Sequence, residues 1–100
     1  MGLNTGVIPG YNFVNITAAA PTTTVVKTGA GILHSIAINT PTATAVITIY
    51  DNTAASGTKI GTYTIAASPS PSSVIYDVAF STGLTITTAT AASDITVSYI

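Results

Sequence analysis

The segment TAVITIY, residues 44–50, decides the fold of this chain more clearly than any other stretch. Its apolar residues Ala45, Ile47 and Ile49 alternate with a second set made of two threonines, a valine and a tyrosine. Successive side chains of a β-strand point to opposite faces, so this alternation predicts a strand with one buried face.

The same period of two recurs on both sides of that segment. Clusters of Gly, Pro, Asn, Asp and Ser separate the apolar runs, and such clusters favour turns. No window shows the helical spacing of apolar residues. The sequence therefore predicts an all-β protein, a single antiparallel β-sandwich or jelly roll of about seven or eight short strands with an extended N-terminal arm. Predicted strands cover residues 11–18, 22–28, 32–38, 44–50, 59–65, 74–80, 84–87 and 95–100.

The chain divides into two predicted parts. Residues 1–20 are expected to form the N-terminal arm and the first strand, and residues 21–100 the β-sandwich domain. Gly and Pro are dense over residues 1–10, which disfavours a regular strand there. One interpretation is a frayed terminus, and the other is an arm that becomes ordered on a partner protein. In the second case the partner-binding residues are Leu3, Val7, Ile8 and Pro9.

Three local expectations concern faces and turns. In the run 32–38, Ile32 is expected on the same face as His34, Ile36 and Ile38, with Leu33 on the opposite face. Residues 51–57 are predicted to form a turn with Gly57 at positive φ. Residues 81–83 are predicted to form a short hairpin loop with Gly83 at positive φ.

Charge is unusually scarce in this sequence. Charged residues make up 5% of the chain, and the formal net charge is −1, whereas about 25% is usual. Two basic residues cannot neutralise several phosphates, so nucleic-acid binding is not expected. Nor do we expect a secretory signal peptide or a membrane-spanning helix, since no suitable apolar run occurs. The charged residues are Lys27, Lys59, Asp51, Asp77 and Asp94.

The chemistry available to the chain is also limited. It has one histidine, three scattered aspartates and no cysteine, which excludes disulfides and thiolate metal sites. His34 and Ser35 are adjacent, so on a strand they would point to opposite faces and could not form a nucleophile–base pair. The turn at 51–57 lacks the ligand pattern of a calcium loop. We therefore predict no enzyme activity, no cofactor and no metal site.

A surface with so few charges favours association. The outer faces of the predicted strands are rich in threonine, which suits a pleated sheet and keeps the surface polar without charge. Such a surface lacks the charges that usually protect exposed edge strands from pairing. One interpretation is a low-charge β domain from an organism whose proteins are biased toward threonine and alanine. The interpretation that we favour is a homo-oligomer or a component of a larger assembly, with Tyr63 and Tyr76 as candidate oligomer contacts.

Four strings resemble sequences that recur in small virion proteins of tailed bacteriophages. They are GILHSI at residues 31–36, YDNTAASGT at 50–58, YDVAFSTGL at 76–84 and ASDITVSY at 92–99. The similarity covers roughly residues 25–100. It implies a β-sandwich structural protein of the virion, specifically a capsid decoration (cement) protein, often trimeric, made in the host cytoplasm and located on the capsid surface. The implied partner is the major capsid protein or another virion protein.

The resemblance leaves one alternative open, because related domains also occur in phage tail, neck and fibre proteins. In such a protein the chain would act as an adhesion or carbohydrate-recognition module. That function needs aromatic rings grouped on one face, for which Tyr50, Tyr63 and Tyr76 are the candidates.

Overall fold

The computed structural model describes residues 10–68 and 70–100, and it contains eight β-strands. Most of the strands coincide with an apolar–polar alternation in the sequence, and the turns between them carry Gly, Pro, Asn, Asp and Ser. The strands are β1 (Asn12–Ile16), β2 (Thr22–Thr28), β3 (Gly31–Thr40), β4 (Val46–Tyr50), β5 (Lys59–Thr64), β6 (Ser72–Phe80), β7 (Gly83–Ala89) and β8 (Asp94–Tyr99).

The strands form two four-stranded antiparallel sheets. One has the order β1-β8-β3-β6 and the other the order β2-β7-β4-β5. Strands distant in sequence therefore pair: β1 with β8, β2 with β7 and β3 with β6. The all-β prediction is confirmed, and the arrangement is consistent with a β-sandwich.

One apolar core is built from residues of both sheets. Isoleucine is its main component, because a β-branched side chain fits the pleated surface of a strand. The predicted buried face of residues 44–50 is confirmed, since Ala45, Ile47 and Ile49 are almost completely buried. The buried hydrophobic residues are Ile16, Leu33, Ile36, Ile38, Ala45, Ile47, Ile49, Ile65, Phe80, Leu84, Ile86, Ile95 and Val97.

The expected faces of β3 are wrong at its start, because a β-bulge changes the alternation. Leu33 is completely buried, whereas Ile32 is 41% exposed. Leu33 pairs with residue 99 of β8 and residue 78 of β6, whereas Ser35 pairs with residues 98 and 75. From the first set of pairs to the second, the chain moves by one residue in β8, by two in β3 and by three in β6. At this point β3 therefore has one residue more than β8, and β6 has one residue more than β3. The extra residue in β3 brings Leu33 onto the same face as Ile36.

The predicted hairpin at residues 81–83 is also wrong. Residues 81 and 82 connect β6 in one sheet with β7 in the other, so they pass between sheets instead of closing a hairpin. Gly83 begins β7 and does not have positive φ, although Gly57 does, at 81°. Glycine is required at position 83 by close packing, since a methyl group there would lie 2.8 Å from Thr53 Cγ2 and 2.9 Å from the Lys27 carbonyl oxygen.

The first strand belongs to the same sheet as β3 and β6. It pairs with β8 over its whole length, from Asn12 opposite Tyr99 to Ile16 opposite Ile95, so the sheet continues on the N-terminal side of residue 21. Within residues 10–68 and 70–100, no helix is long and apolar enough to cross a bilayer.

The bulge in β3 predicts unequal effects for two neighbouring substitutions. Leu33→Ala should cost about 2–5 kcal/mol of unfolding free energy, because it leaves a cavity in the core. Ile32→Ala should cost less than about 1 kcal/mol, because that side chain is partly in water. Urea unfolding of both variants measures the difference, and a larger loss for Ile32→Ala would contradict the bulged register.

Candidate functional site

The outer face of the β1-β8-β3-β6 sheet carries most of the large apolar side chains that the described residues leave exposed. Of six such residues, only Val25 lies on the other sheet. Several large apolar side chains exposed on one face of a monomer commonly mark a site of protein association. We call this surface the outer apolar face, and it consists of Tyr11, Phe13, Ile32, Ile75 and Ile100.

The two most exposed of these side chains lie at opposite edges of the sheet. Phe13 on β1 is 71% exposed, and Ile75 on β6 is 60% exposed. They belong to one row across the four strands, because Phe13 is opposite Ser98, Ser98 is opposite Ser35, and Ser35 is opposite Ile75. A row of this kind places its side chains on one face of the sheet.

A histidine–aspartate pair lies on this face at the bulge. His34 Nδ1 is 2.5 Å from Asp77 Oδ1, and the Tyr11 ring stacks on the imidazole with centroids 4.2 Å apart and an interplanar angle of 10°. Asp77 has a φ of 49°, in the left-handed region, which aspartate tolerates better than most residues. Both partners are partly exposed, so this hydrogen bond contributes little to stability. Its main consequence is to hold the imidazole and the tyrosine ring in a fixed orientation.

The pair does not form the arrangement needed for nucleophilic catalysis. In a catalytic triad the second imidazole nitrogen hydrogen-bonds to a hydroxyl or thiol. In the part of the chain that the structure describes, the imidazole of His34 is hydrogen-bonded to Asp77 and to no hydroxyl. Those residues also contain no group of three side chains suited to hold a metal ion. The absence of enzyme activity stays a prediction.

A polar network lies at the other end of the same face. The amide nitrogens of Asn15 and Asn39 donate to Asp94 Oδ1 at 2.7 and 3.2 Å, and Asn39 also donates to Thr96 Oγ1 at 3.0 Å. These hydrogen bonds, first that from Asn15 and then that from Asn39, lower the pKa of Asp94 below 3.8. The network joins β1, β3 and β8 at this end of the sheet.

Asp51 connects two loops through its carboxylate. Its carboxylate accepts backbone hydrogen bonds from Ser81 at 3.0 Å, Thr82 at 2.8 Å and Gly83 at 3.4 Å. The Thr82 bond, followed by the Ser81 bond, lowers the pKa of Asp51 below 3.8, and burial opposes this only in part. The sequence strings at 50–58 and 76–84 thus meet in one structural contact.

The candidate oligomer contacts Tyr63 and Tyr76 lie on β5 and β6. Both side chains are half-buried against the core, and the Tyr76 hydroxyl lies against Gly61. Burial, and then the neighbouring Tyr63, raises the pKa of Tyr76 above 10.0. Tyr63 also lines a cavity of about 210 Å³ together with Ile38 and Ile65. Their role as oligomer contacts stays a prediction.

The predicted partner-binding residues Leu3, Val7, Ile8 and Pro9 lie outside the described residues. The outer apolar face was not identified from sequence, although a signal exists: Ile75 occupies the polar side of an alternating strand. A large apolar residue at such a position would have indicated a contact surface.

The hydrogen bonds to Asp51 predict how acid affects stability. Because its folded pKa lies below 3.8, Asp51 stabilises the fold above that value, and the contribution is lost as the pH falls through the folded pKa. Asp51→Asn should lower the melting temperature at pH 7 and have a much smaller effect near about pH 2. Circular dichroism melting curves measure this, with Ser56→Ala in the same loop as a neutral control. An equal difference at both pH values would argue against it.

No protein-family model matches this chain, and neither a curated protein nor a solved structure is similar enough to count as a match. The function is therefore inferred from the residues themselves and from the strand order.

Proposed function

We propose that this chain is a non-enzymatic structural virion protein that decorates a bacteriophage capsid and stabilises it as a cement protein. The observation that carries the proposal is the outer apolar face, where five large side chains stay exposed on one sheet. A surface of that composition gains free energy when another protein covers it. Four sequence strings resemble virion proteins of tailed phages, and for this reason we propose a protein of the capsid as the partner that covers this face.

The distribution of charge supports a mainly non-ionic attachment. All three carboxylates already have partners within the chain: Asp51 binds backbone amides, Asp77 binds His34, and Asp94 binds two asparagines. Only two lysines add positive charge. Contacts with a partner are therefore made chiefly by apolar and hydroxyl groups.

A jelly roll is the finer fold that we propose. Jelly rolls consist of eight strands in two sheets, arise from two Greek keys, and occur in viral capsid and lectin domains. The orders β1-β8-β3-β6 and β2-β7-β4-β5 support this, because each strand of the first half of the chain pairs with its counterpart counted from the other end. A fold alone does not assign a function, so this argument supports the virion proposal without carrying it.

Cement function requires many copies and no catalysis. Copies joined in a trimer would bind the shell at several points, and their weak individual contacts would add up to strong attachment. The partner is the major capsid protein or another virion protein. Leu3, Val7, Ile8 and Pro9 of the N-terminal arm are the proposed residues of contact with that partner.

The alternative, a tail, neck or fibre module that binds carbohydrate, has no comparable support. It requires aromatic rings on one accessible surface. Tyr50 lies on the strand face opposite the buried Ile49, whereas Tyr63 and Tyr76 pack against the core between the sheets. These three rings therefore do not form a common platform.

The proposal predicts attachment that depends little on salt. Between about 0.01 and about 1 M salt the Debye length falls from about 30 to about 3 Å, which would greatly weaken a charge-driven complex. Sedimentation of the purified chain with phage capsids that lack it should show a change in affinity below about threefold over this range. A steep loss of binding in moderate salt, or no binding at all, would contradict the proposal.

The proposed arm predicts a separation of binding from folding. Deleting residues 1–10 should weaken capsid attachment and leave the β-sheet circular dichroism spectrum and the melting transition unchanged. The substitution of Leu3, Val7 and Ile8 by serine in the full-length chain serves as the matched variant. Unfolding of the truncated chain would show that this segment belongs to the core, and unchanged attachment would show that the arm is not the contact.

A further inference from the structure

The two outer edges of the β1-β8-β3-β6 sheet are complementary to each other. Within the described residues no strand pairs with the outer edge of β1 or of β6. The register of β1 with β8 is uninterrupted over Asn12–Ile16, and that of β6 with β3 is uninterrupted over residues 72–75. Each edge therefore offers a regular stretch of four or five residues for pairing.

The backbone groups of the two edges are in matching phase. In an antiparallel sheet the N–H and C=O groups of successive residues point alternately to the two neighbouring strands. Ile32 and Ile100 exchange both backbone hydrogen bonds, so they form a hydrogen-bonded pair between β3 and the end of β8. Backbone groups alternate in direction from this pair onward, and the registers carry the alternation from β8 to β1 and from β3 to β6. This identifies the residues whose N–H and C=O groups point away from the sheet at its two edges. They are Phe13 and Asn15 on β1 and Ser73 and Ile75 on β6.

The side chains match in the same alignment. When Phe13 is set opposite Ile75 in antiparallel pairing, the next pairs are Val14 with Val74 and Asn15 with Ser73. Phe13 and Ile75 are the most exposed members of the outer apolar face, so their contact covers both. Val14 and Val74 both pack against the core, so they extend it across the junction.

The strand directions also fit. Each neighbouring pair in the order β1-β8-β3-β6 is antiparallel, so β6 runs opposite to β1. A second copy placed beside the first by rotation about an axis along the strands therefore brings its β1 antiparallel to β6. Such a head-to-tail contact uses two different surfaces, and it produces a ring when the rotation closes.

The edges of the other sheet are less suited to pairing. β2 contains Lys27, β5 contains Lys59, and both strands show register shifts against their neighbours. Charged residues and bulges are the features by which proteins protect edge strands. Neither β1 nor residues 72–75 contain a charged residue or a register shift.

We propose that copies of this chain associate head to tail, with Phe13–Ile16 on the β1 edge of one copy pairing with residues 72–75 on the β6 edge of the next. The occupant of each edge is thus a second copy of the same chain. The edge contact is inferred from the strand edges alone and does not require the proposed virion role. The number of copies, three, rests on the proposed function.

Cysteine cross-linking tests the contact directly, because the chain has no cysteine of its own. Residues in a hydrogen-bonded antiparallel pair have Cα atoms about 5.5 Å apart, a distance that a disulfide spans. The full-length Phe13→Cys/Ile75→Cys variant, oxidised in dilute solution, should form covalent oligomers on non-reducing gels. Phe13→Cys/Val25→Cys and Val25→Cys/Ile75→Cys are matched controls, since Val25 is exposed on the other sheet.

The outcomes separate this inference from the proposed function. Cross-linking specific to the Phe13→Cys/Ile75→Cys variant supports the edge contact, and a ladder that ends at three copies also supports the trimer. A ladder that continues past three supports the edge contact and contradicts the trimer. Cross-linking no stronger than in the controls, or dimers formed equally well by Phe13→Cys alone, would overturn the head-to-tail contact. Normal cross-linking without capsid attachment would leave the inference intact and count against the virion role.

A charge placed in the contact provides a second measurement. Phe13→Asp should raise the dissociation constant of the oligomer by more than about tenfold, because its carboxylate would be buried opposite Ile75 without a partner. Val25→Asp introduces the same charge at an exposed site on the other sheet and should leave the mass of the oligomer in solution unchanged. Analytical ultracentrifugation measures both variants, and a Phe13→Asp oligomer as stable as the parent would overturn the contact.

Discussion

The structure depends on one apolar layer between its two sheets. The chain has five charged residues and no cysteine, so strong ionic networks and disulfides do not contribute to stability. Burial of isoleucine, leucine and valine is the main stabilising interaction, and nine side chains of the layer are less than 2% exposed. Eight short strands supply these residues by alternation, which leaves threonine, serine and a few apolar residues for the outer faces.

The bulge at His34 connects this layer with the outer surface. It turns Leu33 into the core and Ile32 toward solvent, and it gives β6 an extra residue relative to β3. Asp77 adopts its left-handed conformation at that point and binds His34, while Tyr11 stacks on the imidazole. One irregularity in the strands thus determines both how the core is filled and which rings are presented on the opposite face.

A sheet with few charges, an apolar outer face and edges that no described strand covers is prone to associate with other proteins. In a monomer these properties would favour aggregation, because little electrostatic repulsion opposes contact. In an assembly they are useful, since the same surfaces become interfaces. The position of Phe13 and Ile75 at opposite edges of one row is consistent with specific pairing between copies. This view relates the composition of the chain to the proposed role in a virion shell.

The sequence by itself determined the strands and most of their buried faces, because the alternation of Ile47 and Ile49 with Thr48, or of Val74 and Tyr76 with Ile75, is a local property of the chain. It also determined the turn at 51–57 and the scarcity of charge. The bulge at His34, the passage between sheets at residues 81–82, the contact of Asp51 with the Thr82 amide and the row that joins Phe13 to Ile75 were decided only by the tertiary structure. The physical reason is that register, sheet membership and edge position depend on pairing between strands that lie far apart in sequence, and a local pattern contains no information about that pairing.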